Sequence, residues 1–261
     1  MSSITVGEIA DIINMQYPES TQDAWDNSGL LVGCRSDKVT GVLTSVDITE
    51  DVVDEAIAEG CNMIVAHHPL MFRGVKRLVG ATGEQRVIMK AIQRGIALYA
   101  SHTCCDKSRQ GTSARLAQIL NMQHCEILVP EADGSIGYGV VGELPMAMSV
   151  GEFAAYVKEK VGCSSIRMSG NSDRVSRVAI CTGSGSEFVG NAVKSAADAY
   201  ITADVKYHQM AEAGERIVIA DIGHWESEQM TKQLFYDLLS GKLSNFARCK
   251  MSQCSNPIKY I

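Results

Sequence analysis

Short apolar runs alternate with amphipathic stretches along this chain, and that alternation leaves few folds open. Gly41 to Val46, Met63 to Ala66, Ile96 to Ala100, Val175 to Cys181, Ala199 to Thr202 and Ile217 to Ala220 read as strands. Helical patterns lie between them. Thr5 is placed to cap a first helix that carries Ile9, Ile12 and Ile13 to about Gln16. Thr49 is placed to cap a second, with Val52, Val53, Ala56 and Ile57 on one stripe and Gly60 closing it. Strands separated by helices in this rhythm specify a layered α/β protein with a largely parallel sheet.

The rhythm loosens from about Cys125. A first α/β domain is therefore expected over 1–124 and a second over 125–261. A long last helix, Trp225 to Leu239, and a tail ending in an edge strand are expected to pack back on the first. Val42 to His68 and Val178 to His208 both run strand, helix, strand and then histidine, a hint of internal duplication that any two βαβ units would share.

The strand Met63 to Ala66 ends in His67-His68-Pro69. Proline cannot continue a ladder, so both histidines stand at the carboxyl end of a strand, where α/β sheets bind ligands. His102 and Asp106 follow the strand that ends at Ala100, and His224 follows the one that ends at Ala220. Glu228, four residues after His224, projects the same way from the start of a helix. His67, His68, Asp106, His224 and Glu228 thus supply three imidazoles and two carboxylates, at strand ends that a parallel sheet would gather on one rim. Imidazole with carboxylate suits Zn, Mn, Fe or Ni rather than Ca or Mg. One carboxylate can bridge two ions, so five such ligands can serve a pair and leave positions open to water. Open positions belong to catalysis or metal exchange rather than to a structural site.

Composition narrows the setting. A net charge of −6 counts against a protein held by nucleic-acid phosphates or anionic lipid. No apolar run is long enough to span a bilayer, and the start of the chain lacks the pattern of a signal peptide. Nine scattered cysteines with no Cys-x-x-Cys pair fit a reduced, cytoplasmic protein.

Several motifs then occur in order: Trp25-Asp26-Asn27-Ser28-Gly29-Leu30, His67-His68-Pro69-Leu70, His102-Thr103-x-x-Asp106, Gly183-x-Gly185, Thr202-Ala203-Asp204-Val205-Lys206-Tyr207-His208 and Gly223-His224-x-x-x-Glu228. Together they make the chain similar to the Nif-three-like family, known as GTP cyclohydrolase 1 type 2, from the first helix to Pro257. The resemblance implies two intertwined α/β domains, a dinuclear metal site and a toroidal homohexamer built as a trimer of dimers. It implies His68 and Asp106 on one ion, His67 and His224 on the other, and Glu228 bridging both. Longer members carry an inserted domain that is missing here. Cys104 and Cys105 stand where the family usually has asparagine and an aliphatic residue, and Thr182 and Ala203 where it usually has glycine. None of these departures removes a ligand.

Around the metal set, His102 is expected to relay protons or to orient a ligand. Lys206 and His208 are expected to meet an anionic substrate, with a solvated helix face as the plainer account. Arg73, Lys76 and Arg77 are expected near the route to the metals. Gly183-Ser184-Gly185 reads as a tight turn more readily than as a phosphate cradle. Two functions use the same ligands: a metal-dependent hydrolase acting on a purine nucleotide ring, and a protein of metal trafficking or metallo-cofactor assembly without turnover.

Overall fold

The computed structural model describes residues 3–243 and 247–261. The chain forms a mixed α/β fold with two sheets, one in each of two units.

The first unit comprises Met1–Cys105 and Thr231–Ser255. Its strands are β1 (Gly29–Val32), β2 (Gly41–Ser45), β3 (Met63–Ala66), β4 (Ala97–Ala100) and the late β11 (Arg248–Met251), ordered β1-β4-β3-β2-β11. β4, β3, β2 and β11 run parallel, and β1 is antiparallel to β4. All four residues of β3 are buried because helices cover both faces of the sheet. Met63 and Val65 pack with α1 (Val6–Gln16) and α10 (Thr231–Leu243), through Ile9, Ile13, Phe235 and Leu239. Ile64 and Ala66 pack with α2 (Glu50–Ala58) and α3 (Gly83–Gln93), through Val52, Val53, Val87 and Ala91. Thr5 caps α1 in a reciprocal capping box with Glu8, and Thr49 caps α2, as the sequence predicts. The short α4 (Thr103–Asp106) follows β4.

The second unit comprises Asp106–Met230 and Asn256–Ile261. Its strands are β5 (Gln123–Pro130), β6 (Gly137–Met148), β7 (Arg167–Ser169), β8 (Val175–Ile180), β9 (Ala199–Thr202) and β10 (Val218–Asp221), ordered β5-β6-β8-β9-β10-β7. Only β8, β9 and β10 are mutually parallel; β5, β6 and β7 join antiparallel. α5 (Thr112–Ile119) and α6 (Val150–Val161) cover one face through Leu116, Phe153 and Val157. α7 (Val189–Lys194) and α8 (Tyr207–Ala213) cover the other through Val189, Ala192, Met210 and Ala213.

Three details depart from the sequence reading. The chain leaves the first unit at Asp106, ahead of residue 124, because Leu116, Ala117 and Leu120 bury in the second core beside Val140 and Val178. The sheet that was expected to be largely parallel is two mixed sheets. The expected helix from Trp225 to Leu239 is broken into α9 (His224–Glu228) and α10. Met230 is buried in the second core and Phe235 in the first, so the break falls where the chain passes from one unit to the other. The tail does add an edge strand, β11 beside β2. No helix among the described residues is long and apolar enough to cross a membrane.

Candidate functional site

The expected ligands lie beyond the carboxyl ends of β3, β4 and β10, strands that belong to two different sheets. In the first unit, His67 is the first residue after β3. Its amide and that of His68 donate to Val46 O at 3.1 and 2.9 Å, which fixes the end of the strand beside β2. His102 follows β4, and its amide donates to Ser28 Oγ at 3.0 Å. The structure brings His67, His68 and His102 together, with a ring nitrogen of each within 4.8 Å of the others. His102 was expected to relay protons, and its ring stands at the same distance from its neighbours as a ligand would.

Each of these rings is held by its Nδ1. His67 Nδ1 lies 3.0 Å from Ser101 O, His68 Nδ1 2.8 Å from Asp47 Oδ1, and His102 Nδ1 2.9 Å from Asp26 Oδ1. A carbonyl or carboxylate oxygen only accepts, so Nδ1 carries the proton in all three. In the neutral imidazole, Nε2 then keeps its lone pair. Metal-ligating histidines are typically oriented in this way by an oxygen acceptor behind the ring.

Asp26 is the most heavily engaged of these acceptors. Its side chain is buried, and it also accepts from the Thr103 amide and hydroxyl at 3.0 and 2.6 Å and from Ser28 Oγ at 3.1 Å. Burial alone would raise the pKa of its carboxyl. The hydrogen bonds from His102 and Thr103, the charge of His102 and the Asn27 amide outweigh burial and hold it well below the usual carboxylate range. From sequence, the Asp26-Asn27-Ser28 stretch reads as turn chemistry by default. Its role in fixing His102 and Thr103 depends on contacts more than seventy positions away.

In the second unit, His224 opens α9 and Glu228 closes it. One turn of helix sets His224 Nε2 3.1 Å from Glu228 Oε2. His224 Nδ1 lies 2.6 Å from Asp204 Oδ2, so this ring too has an oxygen acceptor behind it. Asp204 follows β9 with a left-handed φ of 57°, which aspartate tolerates better than most residues. A carboxylate oxygen of Asp106 lies within 4.8 Å of one of Glu228, and Asp106 Oδ1 accepts from Thr112 Oγ1 at 2.7 Å. Glu228 is buried and has both Asp106 and His224 beside it, which is the placement a shared carboxylate ligand needs. This donor set of imidazole and carboxylate fits a borderline divalent ion.

The remaining candidates are less engaged. Lys206 and His208 are exposed at the start of α8, and Arg73, Lys76 and Arg77 are exposed in the segment between β3 and α3. The glycine turn is no phosphate cradle. Gly183 N donates to Ser227 Oγ at 2.9 Å and Gly185 N to Thr202 Oγ1 at 3.0 Å, so the amides of both glycines are already taken. Asp47 and Asp204 were not singled out for a role from sequence. Their signal is positional, since each is the second residue after a parallel strand.

A family model described as Duf34/NIF3 (NGG1p interacting factor 3) matches residues 4–257. A Clostridium acetobutylicum protein named GTP cyclohydrolase 1 type 2 homolog is 34% identical over 245 residues, covering 92% of this chain and 91% of its own. A Campylobacter jejuni protein of the same name is 32% identical over 260 residues, covering 98% and 99%. The crystal structure of a Staphylococcus aureus hypothetical protein superposes with a TM-score of 0.93 at 30% identity, over 100% of both chains. A Bacillus cereus protein related to NIF3 superposes with a TM-score of 0.93 at 24% identity, also over 100% of both, a likeness of fold.

Proposed function

The chain belongs to the Duf34/NIF3 family, and from that premise we propose that it holds two divalent ions and hydrolyses a purine nucleotide ring. His67, His68, Asp106, His224 and Glu228 are the ligands in this reading, with Zn, Mn, Fe or Ni as the ions. The observation that carries it is the common anchoring of the histidines, each with an oxygen acceptor behind Nδ1. The names of the curated relatives support the nucleotide as substrate.

Bound divalent ions supply Lewis acidity, polarising an electrophile and lowering the pKa of water. The protein's own residues then have distinct tasks. Glu228, between Asp106 and His224, is the shared ligand. Asp47 and Asp204 fix the ring planes of His68 and His224. His102, locked by Asp26, offers Nε2 for proton transfer to or from the substrate. Lys206 and His208 meet the anionic end of the substrate.

The test is GTP turnover by protein loaded with each metal, beside His68→Ala. Turnover in the wild type that disappears in the variant is expected. Equal and negligible rates in both would sink the hydrolytic reading. Metal analysis should give more than one equivalent per chain, falling in Glu228→Ala, and a protein that stays metal-free in all four ions would overturn the metal reading itself.

A second reading, metal delivery without turnover, is favoured by the accessibility of one ligand. The His224 side chain is 33% exposed and its Asp204 partner 51%, which leaves room for an ion to be exchanged. We also propose assembly as a toroidal homohexamer, on the family resemblance. Light scattering at micromolar concentration tests this, and a monomer of 28.2 kDa refutes it.

A further inference from the structure

Two large aromatic side chains of the first unit stand in solvent beside His102. Trp25 is 59% exposed and Phe72 48%. Their ring centroids are 6.2 Å apart with planes tilted by 33°. Each meets the His102 ring edge-on, Trp25 at 5.8 Å and Phe72 at 5.7 Å. His102 in turn meets His67 and His68 at 5.2 and 5.4 Å. A continuous run of rings therefore leads from the buried histidine to the surface.

The two aromatic residues sit on separate loops that are tied together. Asn27 Nδ2 donates to Met71 O at 2.5 Å, joining the stretch after Trp25 to the residue before Phe72. The Asn27 amide donates to Asp26 Oδ1 at 2.7 Å, and Asp26 is fixed in turn by Thr103 and His102. The backbone beneath both rings is thus held by hydrogen bonds while the rings stay uncovered. Rings held ready and unburied lose little freedom when a ligand arrives. Arg73, exposed directly after Phe72, and the exposed Lys76 and Arg77 add positive charge to the same segment.

We propose that Trp25 and Phe72 form a stacking site for a planar heterocycle of the nucleobase class, whose edge then faces His102. The inference rests on the reading of the histidine cluster as the reaction site for its location, and on the rings alone for its chemistry. Two stacking distances need about 7 Å between the rings of a sandwich. The observed 6.2 Å is shorter, so the ligand stacks on one open face of the pair rather than between its members. The basic segment after Phe72 suits a ring that carries phosphate.

The test compares guanosine monophosphate with ribose 5-phosphate, which share sugar and phosphate and differ by the base, on metal-loaded protein. Trp25→Ala should weaken binding of the nucleotide by about 5- to 150-fold, the range seen when an aromatic stacking residue is truncated. Phe72→Ala should act in the same direction, and Trp25→Phe should restore most of the loss. Binding of ribose 5-phosphate should not change. The inference is overturned if the wild type binds the two probes equally, if both alanine variants bind the nucleotide as well as wild type, or if ribose 5-phosphate binding falls in parallel. A change of assembly state with unchanged nucleotide affinity would assign the rings to contact with a second copy, and also overturns it. A base-dependent loss in a protein without GTP turnover would leave the stacking site standing and remove the hydrolytic reading. Turnover indifferent to both alanine substitutions would remove the stacking site alone.

Discussion

Glu228 occupies the space that a side chain at Gly183 would need. A Cβ built on Gly183 collides with Glu228 Oε1 and lies 3.5 Å from His224 Cε1. Gly183 also has a φ of 64°, in the left-handed region. The turn after β8 is glycine for two reasons at once: its backbone conformation, and the carboxylate that lies against it. Its amide donates to Ser227 Oγ, and Ser227 Oγ donates to His224 O at 2.8 Å, so the turn helps to set the helix that carries both ligands.

Gly183→Ala should therefore displace Glu228. The left-handed conformation alone costs an L-residue about 1–2 kcal/mol. The collision adds a push on a carboxylate that the second unit otherwise buries. Metal content should fall while the circular dichroism spectrum stays that of the wild type. Unchanged metal affinity in a folded variant would show that Glu228 has room to move aside.

Asp47 tests the oxygen acceptors behind the histidines. It touches His68 Nδ1 but is itself 40% exposed, so it contributes little to packing. Asp47→Ala should weaken metal binding by about 10- to 100-fold, the usual effect of removing such an acceptor. Thermal stability should hardly change. Competition with a chromophoric chelator measures the affinity. An unaltered value would mean that His68 is oriented by its neighbours alone.

Much of this arrangement is legible in the sequence, and the parts that are not have physical causes. β3 is buried on both faces, so all four of its residues are apolar, and the histidines after it stand out. Thr5 and Thr49 announce their helices because a cap is a local device. β5 is different. Residues 123–126 are exposed, and Gln123-His124-Cys125-Glu126 shows no apolar alternation to read. The break after Glu228 is hidden because Met230 and Phe235 are both apolar, and nothing local says that they belong to different cores. Asp26 is hidden for a related reason. Its partners His102 and Thr103 are far along the chain, while Asp-Asn-Ser-Gly by itself describes a turn.

Asp26 gives a pH-dependent prediction. Its folded-state pKa lies below the ordinary carboxylate value, so its contribution is present above about pH 4 and fades as the pH falls toward the lower folded value. Asp26→Asn keeps the shape but loses the charge that His102 and Thr103 face. The variant should be less stable by about 1.5–3 kcal/mol at neutral pH, the range for hydrogen bonds to a charged group. The difference from wild type should shrink below about pH 4, where the carboxylate of the unfolded chain begins to take up its proton while the folded one stays charged. Urea denaturation at neutral and acidic pH checks both parts. A gap between the two proteins that does not change with pH would show that the charge of Asp26 contributes nothing.

Cys104 and Cys105 close the argument about ligands. They sit between His102 and Asp106 in sequence, where soft thiolates would bias the site toward zinc or Cu(I). The structure gives them another task. They are 2% and 0% exposed and pack in the first core with Met63, Tyr99 and Phe235. Cys104 Sγ also lies 3.3 Å from Ser101 Oγ, on the residue whose carbonyl accepts from His67. Replacing both cysteines with serine puts two hydroxyls into that core, at about 1–3 kcal/mol for each one left without a good hydrogen bond. The double variant should melt lower, by about 2–4 °C for each kcal/mol lost. Its metal stoichiometry should equal that of the wild type, because the imidazole and carboxylate set is complete without sulfur. An ion lost from a protein that still folds would make one of these thiols a ligand and would require a different donor set around His67.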